Sequence, residues 1–289
     1  MTKPQTTIAK KIEFSGKGIH SGIECHICIQ PEEADAGIYF VRSDLPGQPA
    51  IPASIQSLTE EPLLRQTVLQ SPDNESASVQ TVEHILACLH AYGIDNARIE
   101  MTSGEAPILN GSAAELARML AECGGARELA GTERRLFEIT RPVAFQPGES
   151  DSIEFAAWPS RHLIVTYFLE YEHPVIGSQA VSFRIGPDVF REAIAPARTF
   201  CTSEEVEFLR SRNLIRGGNE NNAIIVGPDS ILNTELLWPD ELARHKLLDL
   251  LGDLLLVGAP LRGHILSYRG GHHANAMFIK HLRKEFDAA

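Results

Sequence analysis

His245, Asp249 and Asp253 recur at spacings of four inside residues 243–258, a stretch that is otherwise mostly leucine. Residues four apart on an α-helix stand one above the other, so an imidazole and two carboxylates share a stripe about 80° wide. The leucines at 247, 248, 250, 251, 254 and 255 cover the opposite arc. An amphipathic surface helix with its polar stripe in water has the same pattern. Two details argue against it. Leu256 falls inside the stripe, and Lys246 at its edge is the stripe's only cation, whereas solvated stripes are usually richer in Lys, Arg and Glu. A His and an Asp one turn apart can instead chelate a metal.

Glu83 and His84, in "TVEH", open a second helical pattern. A Glu in the first turn complements the helix dipole, and a single His there can be purely structural. Adjacent Glu and His is also the arrangement in which one residue binds a metal and its neighbour handles the proton of the attacking water. In "YRGGHHANAMF", Gly270 and Gly271 let the backbone bend closely before His272 and His273 at a helix start. Two solvated imidazoles would satisfy that pattern. A protonated His there would stabilise negative charge at a reacting carbon and give a proton to a leaving group. One His from the first half with a His/Asp pair from the second makes three N/O ligands plus water, the pattern of a catalytic rather than a structural zinc. The set contains no thiolate, so Fe2+ competes on ligand chemistry.

The elements that must position these groups follow from periodicity and punctuation. Short β-like runs fill the first segment ("KIEFSGKGIHSG", "ECHICIQ", "GIYFVR"),. The helix "TVEHILACLHAYG" ends at Gly93, the strand "IDNARIEM" follows, and "GSAAELARMLAECGG" is a second helix stopped by Gly124 and Gly125,. Ser112 and Glu115 predict a capping box at its start. The second half repeats the plan: four strands from "RLFEIT" to "QAVSFRI", the leucine-rich helix, the strand "RGHILSYRGG" and a last helix. The expected fold is α+β, with two similar domains over residues 1–128 and 129–289, each with a β-sheet and packed helices.

Composition narrows the partners. The 289 residues are 43% hydrophobic and 22% charged, with a net charge of −12. That balance excludes a nucleic-acid partner, which would need a basic face. The start, "MTKPQTTIAKKIEF", has no signal-peptide core, and the longest apolar run is broken by Asp249 and Asp253,. No stable membrane insertion is expected, and a cytoplasmic location is. Five scattered cysteines argue against a disulfide framework,.

The ordered motifs "GKGIHSG", "TVEHILACLHAYGIDNARIE", "EAPILNGSAAEL", "ARTF", "ARHKLLDLLGDL" and "GGHHAN" cover nearly the whole chain. Together they resemble the UDP-3-O-acyl-N-acetylglucosamine deacetylases, zinc enzymes of the committed step of lipid A synthesis. The resemblance implies two α+β domains with their helices face to face and the metal between them. It implies His84, His245 and Asp249 as zinc ligands and Glu83 as general base. His272 matches the catalytic histidine, Asp253 the carboxylate that orients and charges it, and Thr199 a hydroxyl that holds the oxyanion. Lys246 and Phe200 match substrate contacts. An insert at about residues 201–226 matches the family's passage for a fatty-acyl chain, with Val206 and Ile215 suited to its wall. A monomer acting on a small nucleotide-sugar lipid follows. Ser203 and Glu220, where the family is more often apolar, keep open a paralogue acting on another N-acetylated sugar. Asn110 stands where the family usually has Asp; either suits a turn before Gly111.

Overall fold

In a computed structural model of the chain, which describes residues 3–59, 66–148, 152–212 and 214–286, period-two alternation builds the first sheet. Ile12 and Phe14 point inward and Glu13 and Ser15 outward in β1 (Ile12–Lys17),. The same logic gives β2 (Glu24–Pro31), β3 (Ile38–Arg42), β4 (Ala50–Pro52) and β5 (Ala97–Met101). The spatial order is β1-β2-β5-β3-β4, with β5 antiparallel to β2 and parallel to β3.

The second sheet's main path holds β6 (Val143–Phe145), β7 (Glu154–Trp158), β8 (Leu163–Glu170), β9 (Ser178–Arg184) and β10 (Leu261–Tyr268), and a sixth short strand, Phe137–Glu138, pairs with β10 off that path. Its order is β6-β7-β10-β8-β9, with β10 antiparallel to β7 and parallel to β8. Both sheets thus read 1-2-5-3-4, and in both the central strand is the last in sequence. The class is α+β, as the pattern of strands then helices predicts.

Each central strand is bracketed by helices. α1 (Glu83–Ala91) precedes β5 and α2 (Ala114–Glu122) follows it. Between β9 and the next long helix, α3 (Ser203–Ser211) is flanked by a short parallel pair, Phe200–Thr202 with Ile224–Val226. α4 (Glu241–Leu254) precedes β10 and α5 (His272–Phe286) follows it. α1 and α4, the equivalent helices of the two halves, pack directly on each other. No helix among the described residues is long and apolar enough to cross a membrane.

Helix ends follow local chemistry. Gly93, at φ 67°, closes α1: its N–H donates to His90 O and that of Ile94 to Leu89 O, the two bonds of a Schellman cap,. Gly124 and Gly125 close α2 the same way through Ala121 and Leu120. The capping box expected at Ser112 does not form. The Asn110 side-chain oxygen accepts from both the N–H and the hydroxyl of Ser112, and α2 takes Ala113 as N-cap. The Asn110 turn outcompetes the box because it captures Ser112 before the helix begins. A full capping box occurs instead at Thr202 and Glu205, opening α3,.

Candidate metal centre and active site

The polar stripe of α4 is not in water. His245, Asp249 and Asp253 are 2%, 4% and 2% exposed, and the leucines opposite are buried as well. A helix buried all round must pair its polar groups. Their partners come from α1, α5, Thr67, the segment before Phe200 and Lys246 of α4 itself.

One ligand atom each from His84, His245 and Asp249 lie within 4.8 Å of one another. Asp249 Oδ1 is 3.6 Å from His84 Nε2 and 3.5 Å from His245 Nε2. The two imidazoles meet edge to face, with centroids 5.1 Å apart. His245 Nδ1–H donates to Ala197 O at 3.1 Å, which leaves Nε2 unprotonated and turned to Asp249. Burial lowers the His245 pKa to about 4, so the ring is the neutral form a metal requires. Burial works against an ionised Asp249, but Lys246, whose Nζ donates to Asp249 Oδ2 at 2.8 Å, and His245 hold its pKa well below the usual carboxylate range. Two imidazoles and a carboxylate from two helices fit a divalent ion,.

Glu83 lies beside this trio and is buried. Burial raises its pKa, with His272 and His84 pulling the other way. Its Oε2 accepts the Thr67 N–H at 3.1 Å and its Oε1 is 3.8 Å from His272 Nε2. Behind His272 stands a buried network. Asp253 Oδ2 accepts from His272 Nδ1 at 2.9 Å and from Asn275 Nδ2 at 2.8 Å, and Oδ1 accepts the Thr67 hydroxyl at 2.5 Å. Burial opposes charge on His272, yet Asp253 and Glu83 carry its pKa up to about 9.

The remaining expected residues have these surroundings. Thr199 is held by its backbone: its N–H donates to Gly111 O at 2.8 Å and its carbonyl accepts from Ile224 N at 2.7 Å. Lys246 gives one of its donors to Asp249. Phe200 is buried against Tyr171, and Val206 and Ile215 are half-buried in the insert. Glu220 is exposed, and Ser203 sits at the first position of α3, so the insert's polar residues mark its rim. Sequence reasoning missed Thr67, Asn275 and Ala197. Asn275 had a signal, three residues past His272 on the same helix face. Thr67 lies in a stretch without periodicity, and Ala197 acts through its carbonyl.

The family model for UDP-3-O-acyl N-acetylglycosamine deacetylase matches residues 5–284. The chain belongs to this deacetylase family. A Nostoc protein named UDP-3-O-acyl-N-acetylglucosamine deacetylase is 38% identical over 282 residues, covering 96% of this chain and 98% of that protein. A protein of the same name from Thermosynechococcus vestitus is 38% identical over 281 residues, covering 97% and 94%. One from Nitratidesulfovibrio vulgaris is 38% identical over 283 residues, covering 97% and 88%.

Proposed function

We propose that this chain hydrolyses the N-acetyl group of UDP-3-O-acyl-N-acetylglucosamine in the cytoplasm, releasing acetate and committing the sugar to lipid A. The carrying observation is the convergence of His84, His245 and Asp249 beside a buried Glu83 and His272. The site lies between two similar halves, residues 1–128 and 129–289, of a monomer. His84, His245 and Asp249 would hold zinc, with Fe2+ as the competing ion; when bound, it supplies Lewis-acid polarisation of the amide carbonyl and acidifies water.

The protein's own groups do the rest. Glu83 takes the proton of the attacking water, and burial, which raises its pKa, makes it a stronger base than an exposed carboxylate,. His272, kept charged by Asp253, stabilises the negative charge that develops on the attacked carbonyl, assisted by the Thr199 hydroxyl. Glu83 or His272 protonates the leaving amine. Lys246 and Phe200 contact the substrate's polar part, and Val206 and Ile215 wall its acyl chain.

Protein purified without chelator is expected to carry stoichiometric metal and to release acetate from this substrate. Asp249→Ala should lose both, while Glu83→Gln should keep the metal and lose most turnover. Absence of metal in the purified protein would overturn this reading. Turnover only on another N-acetylated sugar would move the substrate assignment to the paralogous activity.

A further inference from the structure

The four-residue spacing of α4 does not begin at His245. Glu241, one turn earlier on the same face, is wholly buried. Its carboxylate takes a complete set of donors. Oε1 accepts from Arg198 Nε at 2.8 Å and from the Arg198 backbone N–H at 3.2 Å. Oε2 accepts from Arg198 Nη2 at 3.1 Å and from Leu237 N–H at 2.6 Å. Arg198 spends its other donors on Thr234 Oγ1 at 2.9 Å and Glu235 O at 2.7 Å. The fork of a guanidinium matches a carboxylate in this way and an ammonium does not.

This pair touches no ligand atom, but its neighbours do the site's work. Ala197, one residue before Arg198, offers the carbonyl that accepts from His245 Nδ1. Thr199, one residue after, is the hydroxyl assigned to the oxyanion. The segment 197–199 therefore lies along α4, pinned at Glu241 and at His245, one helical turn apart. Its far side is tied to Gly111 and to Ile224.

We propose that Arg198 and Glu241 are a positioning pair that holds the Ala197 carbonyl against His245 and fixes Thr199 over the same centre. The pair thereby sets metal affinity and turnover together. This rests on the metal-centre reading above. A backbone carbonyl on the far nitrogen of a ligating histidine fixes its tautomer and orientation, and loss of such a partner costs about 10–100-fold in metal affinity.

The test uses full-length apoprotein and three readouts: Zn2+ affinity by chelator competition, the visible spectrum of the Co2+-loaded protein, and kcat and KM for acetate release. Arg198→Lys keeps the charge but loses the fork. It is expected to weaken metal about 10-fold or more, to shift the Co2+ spectrum, and to lower kcat with little change in KM. Arg198→Met combined with Glu241→Met removes both charges, so no unpaired ion is left buried and the fold is retained; the same loss of affinity and spectral shift are expected there. Wild-type metal affinity and an unaltered Co2+ spectrum in either folded variant would overturn the proposal and leave the pair a structural ion pair. Failure of the wild-type protein to take up metal would instead strike the metal-centre reading itself.

Discussion

Gly252 lies against the backbone of Glu83: a Cβ at position 252 would stand 2.1 Å from the Glu83 carbonyl oxygen. No side chain fits there, so glycine is what lets α1 and α4 touch backbone to backbone. Glu83 and His84 on one side, and Asp249 and Asp253 on the other, are placed by that contact. Gly252→Ala should push the helices apart. A misplacement of about 1 Å costs on the order of 100-fold in rate, so kcat/KM should fall by at least about 10-fold and metal affinity with it. Wild-type kinetics in Gly252→Ala would show that the helix spacing does not matter to the site.

Thr67 has two separable jobs. Its hydroxyl serves Asp253 and its N–H serves Glu83. Thr67→Val deletes the first and keeps the second. A buried carboxylate oxygen deprived of its donor costs about 1–3 kcal/mol, to be read as a lowered denaturation midpoint. Turnover should fall through His272, while bound metal stays stoichiometric. Metal loss in this variant would show that the network reaches the ligands.

Asp253→Asn tests the charge on His272. Burial alone would lower that pKa, and Asp253 is the largest influence raising it to about 9. A raised folded-state pKa stabilises the protein fully below the unfolded value of about 6.5, and that stabilisation is lost as pH rises through about 9. In the variant the basic limb of the pH–rate profile should move to lower pH. A limb that stays in place would assign it to another group.

His90 provides a pH effect of opposite sign away from the chemistry. Burial lowers its pKa to about 4, despite the bond from Nδ1–H to Leu251 O at 2.8 Å. Below about 6.5 the unfolded chain binds a proton that the folded chain refuses, so stability is lost as pH falls towards 4, by up to about 1.4 kcal/mol per pH unit. His90→Asn keeps a donor for Leu251 and removes the titration. Denaturant midpoints between pH 6.5 and 4 should fall less steeply in the variant than in the parent.

The sequence carried the centre where side chains repeat at helical spacing, and lost it where they do not. Period-four spacing exposed His245, Asp249 and Asp253, and strand alternation exposed both sheets. Glu241 shares that spacing but sits in a first turn, where an acidic residue already has a sufficient reason in the helix dipole. Leu256 within the stripe and its scarcity of cations argue against water, and the burial of His245, Asp249 and Asp253 agrees with that. The contribution of Ala197 is a carbonyl, which every residue possesses. Ser112 misled because Asn110, two residues earlier, competes for the same hydroxyl.

His84, and His245 with Asp249, lie on the helices that precede the central strands of two sheets with the same strand order. An ion shared by His84 on one helix and by His245 and Asp249 on the other would be a cross-link as well as a reagent. Whatever free energy it gains on binding resists separation of the halves, worth about 4 kcal/mol when the free ion exceeds its dissociation constant 1,000-fold. Chelation would then strip away part of the clasp along with the chemistry, and the thermal midpoint would report metal occupancy without any substrate present.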